Sequence, residues 1–322
     1  MRRILPTVAD DEAYEAVKAD GPRVRRAAAV IAGRHGLAVE DPQPFDQGSL
    51  IVLGLGDGHV LKLYSPCYPE DAPIEIAALR VVDGRLGVAT PEVVATGELD
   101  GWPYLLMSRV PGEPANRAWR ERRPGGEPWT TIPRPDQLRI AGELGAAVAR
   151  LHALPVADLP PALAGDWEGF LARRRGECVE HHRARGLDDE WLAQIPTFLE
   201  AVDLGAPAPV LLHTEIMRDH VFVEGTREGW RLRGLVDFEP AMLGAPEYEL
   251  AAVGVFFAAG DREVLGEFLR GYGREPDPEL PRRVLAWTLL HKFSHLVWYL
   301  HILGGPDSRD LEELARVWFG VS

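Results

Sequence analysis

The pattern of apolar and polar positions changes character along the chain. Residues 10–19 and 22–33 carry apolar side chains at helical spacing between Gly and Pro breaks, which predicts two helices. From Phe45 onward, aliphatic and β-branched residues alternate around Asp57 and Gly58, and this predicts a β-hairpin. The N-terminal third is therefore expected to contain two helices followed by a β-rich region.

Helical spacing dominates the later part of the chain. Residues 140–152 form an amphipathic helix pattern that Pro155 closes, and residues 166–191 are helical in pattern and highly charged. The apolar stretch 284–303 predicts one long core helix, and the turn EGTREG after Val223 predicts a second hairpin. The whole pattern predicts a mixed α+β chain.

Residues 117–136 are rich in Pro, Gly and charge, so they predict a surface loop. Trp119 and Trp129 are unusual in a pure linker. Packing anchors are the favoured interpretation for both, and part of a substrate wall is the alternative. His291 and His295 lie four residues apart, a spacing that can bind a metal on a helix, yet core or substrate-contact histidines are favoured.

Length and charge narrow the possible functions. A chain of 322 residues with 46% hydrophobic content can bury a large core. Its formal charge of −14 argues against a nucleic-acid partner and favours a cationic one weakly. The N-terminus lacks the apolar core of a signal peptide, and the apolar stretch 250–260 is too short to cross a bilayer. Residues 284–303 contain three histidines and a lysine, so they are expected to form a core helix rather than a membrane span. With only Cys67 and Cys178, no disulfide framework is expected, and a cytoplasmic location fits.

Two acidic motifs carry the candidate chemistry. HTE at residues 213–215 precedes DFE at residues 237–239, which follows a short apolar strand pattern. Phosphoryl transfer requires one carboxylate that aims the attacking hydroxyl and another that holds a metal ion on the phosphates. Glu215 is the candidate for the first role and Asp237 for the second.

These motifs resemble the catalytic and metal loops of the aminoglycoside phosphotransferases and related small-molecule kinases, and the nearest likeness is to hygromycin B phosphotransferases. The segments WPYLLMSRVPGEP at residues 102–114 and LGAAVARLHALP at residues 144–155 share the resemblance. It implies a bilobal, protein-kinase-like α+β fold. Residues 1–107 would form a small β-rich nucleotide lobe, and residues 108–322 a larger helical lobe with the catalytic and acceptor sites.

The resemblance also implies roles for individual residues. Lys62 would bind the α- and β-phosphates, and Glu75, with Glu70 as its rival, would orient Lys62. His213 belongs to the catalytic motif and is expected to support the backbone of the metal loop. The other implied positions are Gly48 and Ser49 in the phosphate turn after Gln47, the main chain near Ser108 and Val110 for the base, and His220 and Glu239 beside the metal.

Three positions depart from the family pattern. Thr214 and Glu215 replace Gly-Asp, His220 replaces Asn, and Glu249 replaces a later Asp. The extra methylene of glutamate moves the carboxylate by about 1 Å, and a shift of that size can cost ~10²-fold in rate. Mg²⁺ prefers oxygen ligands, so the imidazole of His220 is expected to bind it poorly. The favoured interpretation is therefore a single metal ion held mainly by Asp237. The alternatives are Mn²⁺, which accepts an imidazole ligand, and no productive metal.

The resulting expectation is a transferase that moves the γ-phosphoryl group of ATP or GTP to a hydroxyl of a cationic, aminoglycoside- or aminocyclitol-like acceptor and so inactivates an antibiotic. Two alternatives stay open. One is a pseudokinase that binds nucleotide or ligand without transfer, and the other is a kinase of a sugar, choline-like or amino-acid metabolite. The sequence does not choose between ATP and GTP, because backbone groups are expected to bind the base, and it leaves the oligomeric state open.

Overall fold

The computed structural model describes residues 3–45, 48–120, 129–275 and 277–321. The chain divides into two compact units. The first comprises Met1–Asp83, Ala89–Val110 and Asp237–Pro240, and the second comprises Gly84–Val88, Pro111–Val236 and Ala241–Ser322. The DFE motif therefore packs with the first unit although it lies late in the sequence.

The first unit is built on a five-stranded antiparallel sheet. The strand order is β1-β2-β3-β5-β4, with β1 Gln43–Pro44, β2 Ile51–Leu55, β3 His59–Leu63, β4 Val93–Leu99 and β5 Trp102–Ser108. Three helices accompany it: α1 Asp11–Ala19, α2 Gly21–Arg34 and α3 Asp71–Val82. The predicted hairpin is confirmed, because Asp57 and Gly58 lie in the turn between β2 and β3.

Local sequence explains these elements. Asp10 and Asp20 cap α1 and α2, since their carboxylates accept hydrogen bonds from the backbone N–H of Ala13 and Arg23. The buried side chains of α1 and α2 share one apolar core with strands β2, β3 and β5. Both predicted N-terminal helices are confirmed, and their apolar faces cover the sheet.

The second unit is mainly helical. Its helices are α4 Ala115–Ala118, α5 Arg134–His152, α6 Trp167–Ala184, α7 Asp189–Leu192, α8 Ile195–Ala201, α9 Glu249–Ala252, α10 Arg262–Tyr272, α11 Leu280–Leu290, α12 Leu296–Leu303 and α13 Leu311–Phe319. Short 3₁₀ turns lie at Pro161–Leu163 and Pro246–Tyr248, and a π-helical turn lies at Val253–Phe257. Within the described ranges, no helix is long and apolar enough to cross a bilayer.

Small sheets connect these helices. Their strands are β6 Glu113–Pro114, β7 Trp119–Arg120, β8 Trp129–Thr130, β9 Val210–Leu212, β10 Val221–Thr226, β11 Gly229–Leu235 and β12 Met242–Gly244. The strand order is β11-β10-β6 in one sheet, and β12-β9 and β7-β8 pair separately. The β10–β11 pair confirms the hairpin predicted at EGTREG. Helices α5 and α10 cross at glycines, where a Cβ on Gly145 would collide with the carbonyl of Phe268.

The long core helix predicted for residues 284–303 is wrong. Helix α11 ends at Leu290 and α12 begins at Leu296. The chain turns out of the helix at His291, where ψ is 142°, and His295 starts the next helix by accepting a hydrogen bond from Trp298 N–H. His291 and His295 therefore do not share a helix face, and the four-residue spacing has no metal-binding significance here.

The predicted surface loop at 117–136 is partly wrong as well. β7 pairs with β8, and α5 already begins at Arg134. Trp119 is buried, its ring lies 5.5 Å from that of Phe257, and the Arg218 guanidinium lies 4.2 Å from its centroid. Trp119 is thus a packing anchor. The side chain of Trp129 and residues 121–128 lie outside the described part of the chain.

Candidate active site

Lys62 is the centre of a charged cluster in the first unit. It lies on β3 between Leu61 and Leu63 and is 5% exposed. Its Nζ donates to Oε1 and Oε2 of Glu75 on α3, both at 2.8 Å, and to Oδ1 of Asp237 at 2.5 Å. One buried ammonium thus bridges two carboxylates that are far apart in sequence, and Glu75 rather than Glu70 is its helix partner.

Burial and charge act in opposite directions on the Lys62 ammonium. Burial is the largest single influence and lowers the pKa, but the carboxylates of Asp237 and Glu75 together raise it well above its usual range. Lys62 therefore carries a full positive charge at neutral pH. A fixed cation of this kind suits phosphate oxygens, which carry the charge of a nucleotide.

Tyr64 is a member of the cluster that the sequence reasoning missed. Its hydroxyl donates to Glu75 Oε2 at 2.5 Å, and the side chain is fully buried. Burial raises the pKa of this hydroxyl strongly, and the charge of Glu75 raises it further. The period-two alternation of a strand could have revealed Tyr64, because residues 62 and 64 point to the same side.

The DFE segment has an unusual backbone. Asp237 adopts a φ of 71°, in the left-handed region that Asp tolerates better than most residues. Its side chain keeps 29% exposure, so the carboxylate is reachable from solvent. Phe238 is fully buried, and the charge of half-buried Glu239 acts on the Tyr64 hydroxyl. The buried Phe238 therefore anchors the segment, and Asp237 and Glu239 on either side of it are only partly buried.

The predicted phosphate turn lies directly before β2. Gly48 has a φ of 103°, and both Gly48 and Ser49 are exposed. Lys18 on α1 donates to the carbonyls of Gly48 at 2.8 Å and Ser49 at 3.0 Å, and Tyr14 OH donates to Ser49 O at 3.3 Å. The first helix thus holds this turn from outside, a role that sequence reasoning did not assign. Gln47 lies outside the described residues.

At the end of β5, Ser108 is engaged with its neighbour Glu92. The Ser108 N–H donates to Glu92 O at 2.9 Å, and its Oγ accepts from Glu92 N–H at 2.8 Å. Val110 follows and is buried. The amides of Ser108 and Arg109 are therefore both engaged within the first unit, since Arg109 N–H donates to Gly58 O at 2.9 Å.

In the second unit, His213 supports the catalytic loop through both ring nitrogens. Its Nε2–H donates to the carbonyl of Val236 at 2.9 Å, and Nδ1 accepts from Glu215 N–H at 3.3 Å. The ring is fully buried. Val236 directly precedes Asp237 in the chain, so His213 holds the start of the DFE segment and is poorly placed to act as a base.

Thr214 carries backbone strain beside the candidate base. It is β-branched, fully buried and has a φ of 71°, where the family pattern has glycine. Such a conformation costs about 1–2 kcal/mol. It persists because Glu249 Oε1 accepts from Thr214 N–H at 2.7 Å and His291 Nε2–H donates to Thr214 O at 3.1 Å. Both sides of the strained peptide are thus held.

Glu249 is the buried carboxylate that organises this loop. Its Oε2 accepts from His213 N–H at 2.7 Å and from His152 Nε2 at 3.4 Å. Burial alone would raise its pKa, but the interactions with His152 and His213 outweigh it and lower the pKa below the usual value. The carboxylate is therefore ionised, and it fixes two consecutive amides of the catalytic loop.

We predict that Glu249→Gln lowers the free energy of unfolding by about 2–3 kcal/mol. The glutamine side chain has only one acceptor oxygen, so one of the two backbone N–H groups that Glu249 binds would face the side-chain NH₂ instead. Urea denaturation measures this change. Glu275→Gln, the same substitution at an exposed position, serves as the control and should change stability little. Equal stability of the two variants would contradict the bracing role of Glu249.

His220 presents a defined tautomer. Its Nδ1–H donates to the carbonyl of Glu215 at 2.9 Å. A ligating histidine is commonly oriented by such a bond from its other nitrogen to a carbonyl. The same bond holds the backbone of half-buried Glu215 from its C-terminal side. His220 thus has the chemistry of a nitrogen ligand, which suits Mn²⁺ better than Mg²⁺.

His291 connects the break between α11 and α12 to the catalytic loop. Its ring stacks on Tyr248 with centroids 4.8 Å apart, and burial lowers its pKa from 6.5 to about 4. A depressed pKa means that the folded state holds the neutral ring. The stabilisation from His291 is therefore complete above pH 6.5 and is lost as the pH falls toward 4.

We predict that the free energy of unfolding falls by about 2 kcal/mol between pH 7 and pH 5 through His291. Denaturation curves at the two pH values measure the fall. His291→Gln should reduce this dependence, whereas His301→Gln, at an exposed position, should preserve it. Burial also lowers the pKa of His182 to about 4. His182 therefore contributes its own decrease in the free energy of unfolding at low pH, and it does so in every variant.

Comparisons with known proteins identify the family and the fold. A model of the "Phosphotransferase enzyme family" matches residues 51–287. Viomycin phosphotransferase of Streptomyces vinaceus is 26% identical over 211 residues, which cover 60% of this chain and 63% of that protein. The chain belongs to the phosphotransferase enzyme family.

Solved structures share the fold. The GDP and kanamycin complex of APH(2")-IIia aligns with a TM-score of 0.69 at 18% identity, covering 90% of this chain and 95% of that one. Macrolide 2'-phosphotransferase MphH from Brachybacterium faecium aligns with a TM-score of 0.60 at 22% identity, covering 91% and 97%. The kinase-like α+β fold that the sequence predicted is confirmed.

Proposed function

We propose that the protein transfers the γ-phosphoryl group of a nucleoside triphosphate to a hydroxyl of a small-molecule acceptor. The observation that carries this proposal is the buried Lys62 ammonium, which contacts the carboxylates of Glu75 and Asp237. Phosphoryl transfer depends on positioning and on neutralising spread negative charge, and a fixed cation beside a reachable carboxylate suits both needs.

In the proposed reaction, the acceptor oxygen forms a bond to the γ-phosphorus. The bond from the γ-phosphorus to the β–γ bridging oxygen breaks, and the nucleoside diphosphate leaves with the electron pair. The Glu215 carboxylate orients the acceptor hydroxyl and takes its proton. Lys62 binds the α- and β-phosphate oxygens while Glu75 and, through Glu75, Tyr64 keep its ammonium in place.

The donor set of the chain fits a divalent cation. Asp237 offers the hard oxygen ligands that Mg²⁺ prefers, and we infer that it is the main ligand, with Glu239 and His220 in supporting positions. When bound, such an ion would neutralise the phosphate charge. The imidazole of His220 makes Mn²⁺ a reasonable substitute.

For the acceptor, the relatives suggest antibiotics, because their names refer to viomycin, kanamycin and macrolides. We therefore propose antibiotic inactivation as the biological role. A protein that binds ligands without transfer is the second candidate. The observation that favours it is the pair Thr214 and Glu215, where a strained residue and a lengthened acid replace the Gly-Asp of the family pattern.

Two measurements test the proposal. Thermal unfolding with ATP or GTP, each with Mg²⁺ or Mn²⁺, should show a rise in the midpoint, since a ligand that binds the native state stabilises it. Mass spectrometry should then detect a phosphate adduct on at least one compound in a panel of antibiotics, aminocyclitols and metabolites. Nucleotide binding without any adduct would favour the second candidate, and the absence of nucleotide binding would reject the phosphotransferase.

A further inference from the structure

The two faces of the five-stranded sheet in the first unit have different surroundings. One face belongs to the apolar core shared with α1 and α2, and its members include Leu53 and Leu61. Because successive side chains of a strand point to opposite faces, Lys62 lies on the other face. Residues paired directly across antiparallel strands share a face, so Val52 and Leu105, the two partners of Lys62, lie there too. We call this the Lys62 face.

Phe45 extends the Lys62 face just beyond strand β1. Its N–H donates to Val52 O at 2.9 Å, which continues the β1–β2 pairing by one residue and places Phe45 opposite Val52. The ring leans over Gly54, where an added Cβ would lie 3.5 Å from Phe45 Cζ. Phe45 is 36% exposed. A single exposed phenylalanine is ordinary, so the significance of this one depends on its position relative to Lys62.

The spacing between Phe45 and Lys62 suits a nucleotide. Neighbouring strands lie about 4.8 Å apart, so two strand spacings separate these residues by roughly 10 Å. A ribose separates the base of a nucleotide from its α-phosphate, and the distance from phosphate to base is of this order. Leu105, on the other side of Lys62, is fully buried, so the accessible part of the Lys62 face lies toward β2 and β1. With the phosphates at Lys62, the base therefore comes next to Phe45.

Arg109 adds a cation at the same place. Its side chain is exposed, and its guanidinium carbon lies 5.9 Å from the centroid of the Phe45 ring. The amides of Ser108 and Arg109 already donate to Glu92 O and Gly58 O, so these two groups are not available to a base. Aromatic rings and guanidinium groups bind bases by stacking and cation–π contact. The side chains of Phe45 and Arg109 can therefore do what the two amides cannot.

We propose that the base of the nucleoside triphosphate stacks on the Phe45 ring beside the Arg109 guanidinium, and that Phe45 selects purines over pyrimidines. A purine has the larger ring system, so it buries more apolar surface against Phe45. This inference rests on the proposed phosphotransfer function and specifies how its nucleotide is held. It departs from the main-chain binding that the family resemblance implied, because two amides at the end of β5 are engaged within the first unit.

Isothermal titration calorimetry of the full chain with Mg²⁺ tests this inference, since it reports binding without transfer. The probes are ATP, GTP, UTP and tripolyphosphate, which has no base. We expect Phe45→Ala to weaken ATP and GTP binding by about tenfold or more and to leave tripolyphosphate binding unchanged. Phe45→Tyr keeps the ring and should keep the affinity. Tyr68→Ala removes another exposed aromatic side chain of the first unit, one that bonds to Asp11, and is the control that should bind normally.

Thermal unfolding without ligand shows whether each variant is folded, and Phe45→Leu, which keeps an apolar side chain, replaces Phe45→Ala if that variant is unstable. Unchanged ATP and GTP affinity without the ring, or an equal loss of tripolyphosphate binding, would overturn the inference. Wild-type protein that binds UTP as tightly as the purine nucleotides would overturn it as well. Failure of the proposed function has a different signature. Purine nucleotides would bind through Phe45, yet no compound of the panel would gain phosphate.

Discussion

Replacing Asp237 with asparagine is expected to reduce phosphoryl transfer by at least about 10³-fold, because a ligand that neutralises phosphate charge contributes several kcal/mol to the transition state. Asn suits this position otherwise. It has the shape of Asp and tolerates the left-handed φ of 71°, so the change removes charge without adding backbone strain. The measurement is nucleoside diphosphate release with the acceptor that the panel identifies.

The nucleotide-binding behaviour of this variant separates the metal role from the structural one. The midpoint shift with ATP alone should persist, whereas the additional shift with Mg²⁺ or Mn²⁺ should disappear. Asp57→Asn, in the exposed β2–β3 turn of the same unit, is the matched control. Full activity in Asp237→Asn would disprove the metal assignment.

The sequence predicted elements well where one residue pattern determines them. The hairpin at Asp57 and Gly58 formed as expected, because few residues other than Asn, Asp and Gly fit a tight two-strand turn. The contact of Lys62 with Glu75 followed from the family resemblance, since nothing in the spacing of 62 and 75 requires that a strand and a helix meet there.

Prediction failed where a polar side chain competes with the helix pattern. Residues 284–303 are apolar enough for one helix, yet His295 caps a new one and His291 turns toward Thr214. The apolar pattern of residues 284–303 does not mark either histidine as a helix boundary. Ser, Thr and Asp are preferred N-cap residues, because their side chains accept hydrogen bonds from the first turn of a helix. Histidine is not one of the preferred residues, so the sequence did not predict a helix start at His295.

Contacts between residues that are far apart in the sequence were also not predicted. Lys18 and Tyr14 lie thirty or more positions before the carbonyls of Gly48 and Ser49 that they contact. The bonds of Glu249 to two amides of the catalytic loop span a similar distance in the sequence. Only tertiary structure brings such groups together. The sequence marked Glu249 as a departure from the family pattern, but its function as a loop brace became clear from the hydrogen bonds.

Replacing Glu215 with glutamine is expected to lower kcat by about 10²- to 10⁴-fold, the range in which a positioned general base contributes. The amide keeps the size of the side chain but cannot take the acceptor proton. The loop should stay intact, because the backbone N–H and C=O of Glu215 bond to His213 and His220 and the variant keeps both bonds. The KM for the nucleotide should therefore change little.

Glu215→Asp then tests whether the longer acid is an adaptation. The backbone at 215 is held from both sides, so an aspartate would withdraw the carboxylate by one methylene, and we expect about a 10²-fold loss of kcat. Glu275→Asp at an exposed position is the control. An increase in activity would instead mean that Glu215 is a weakened substitute for the aspartate of the family pattern. If neither variant at 215 changed the rate, the base would have to be another residue.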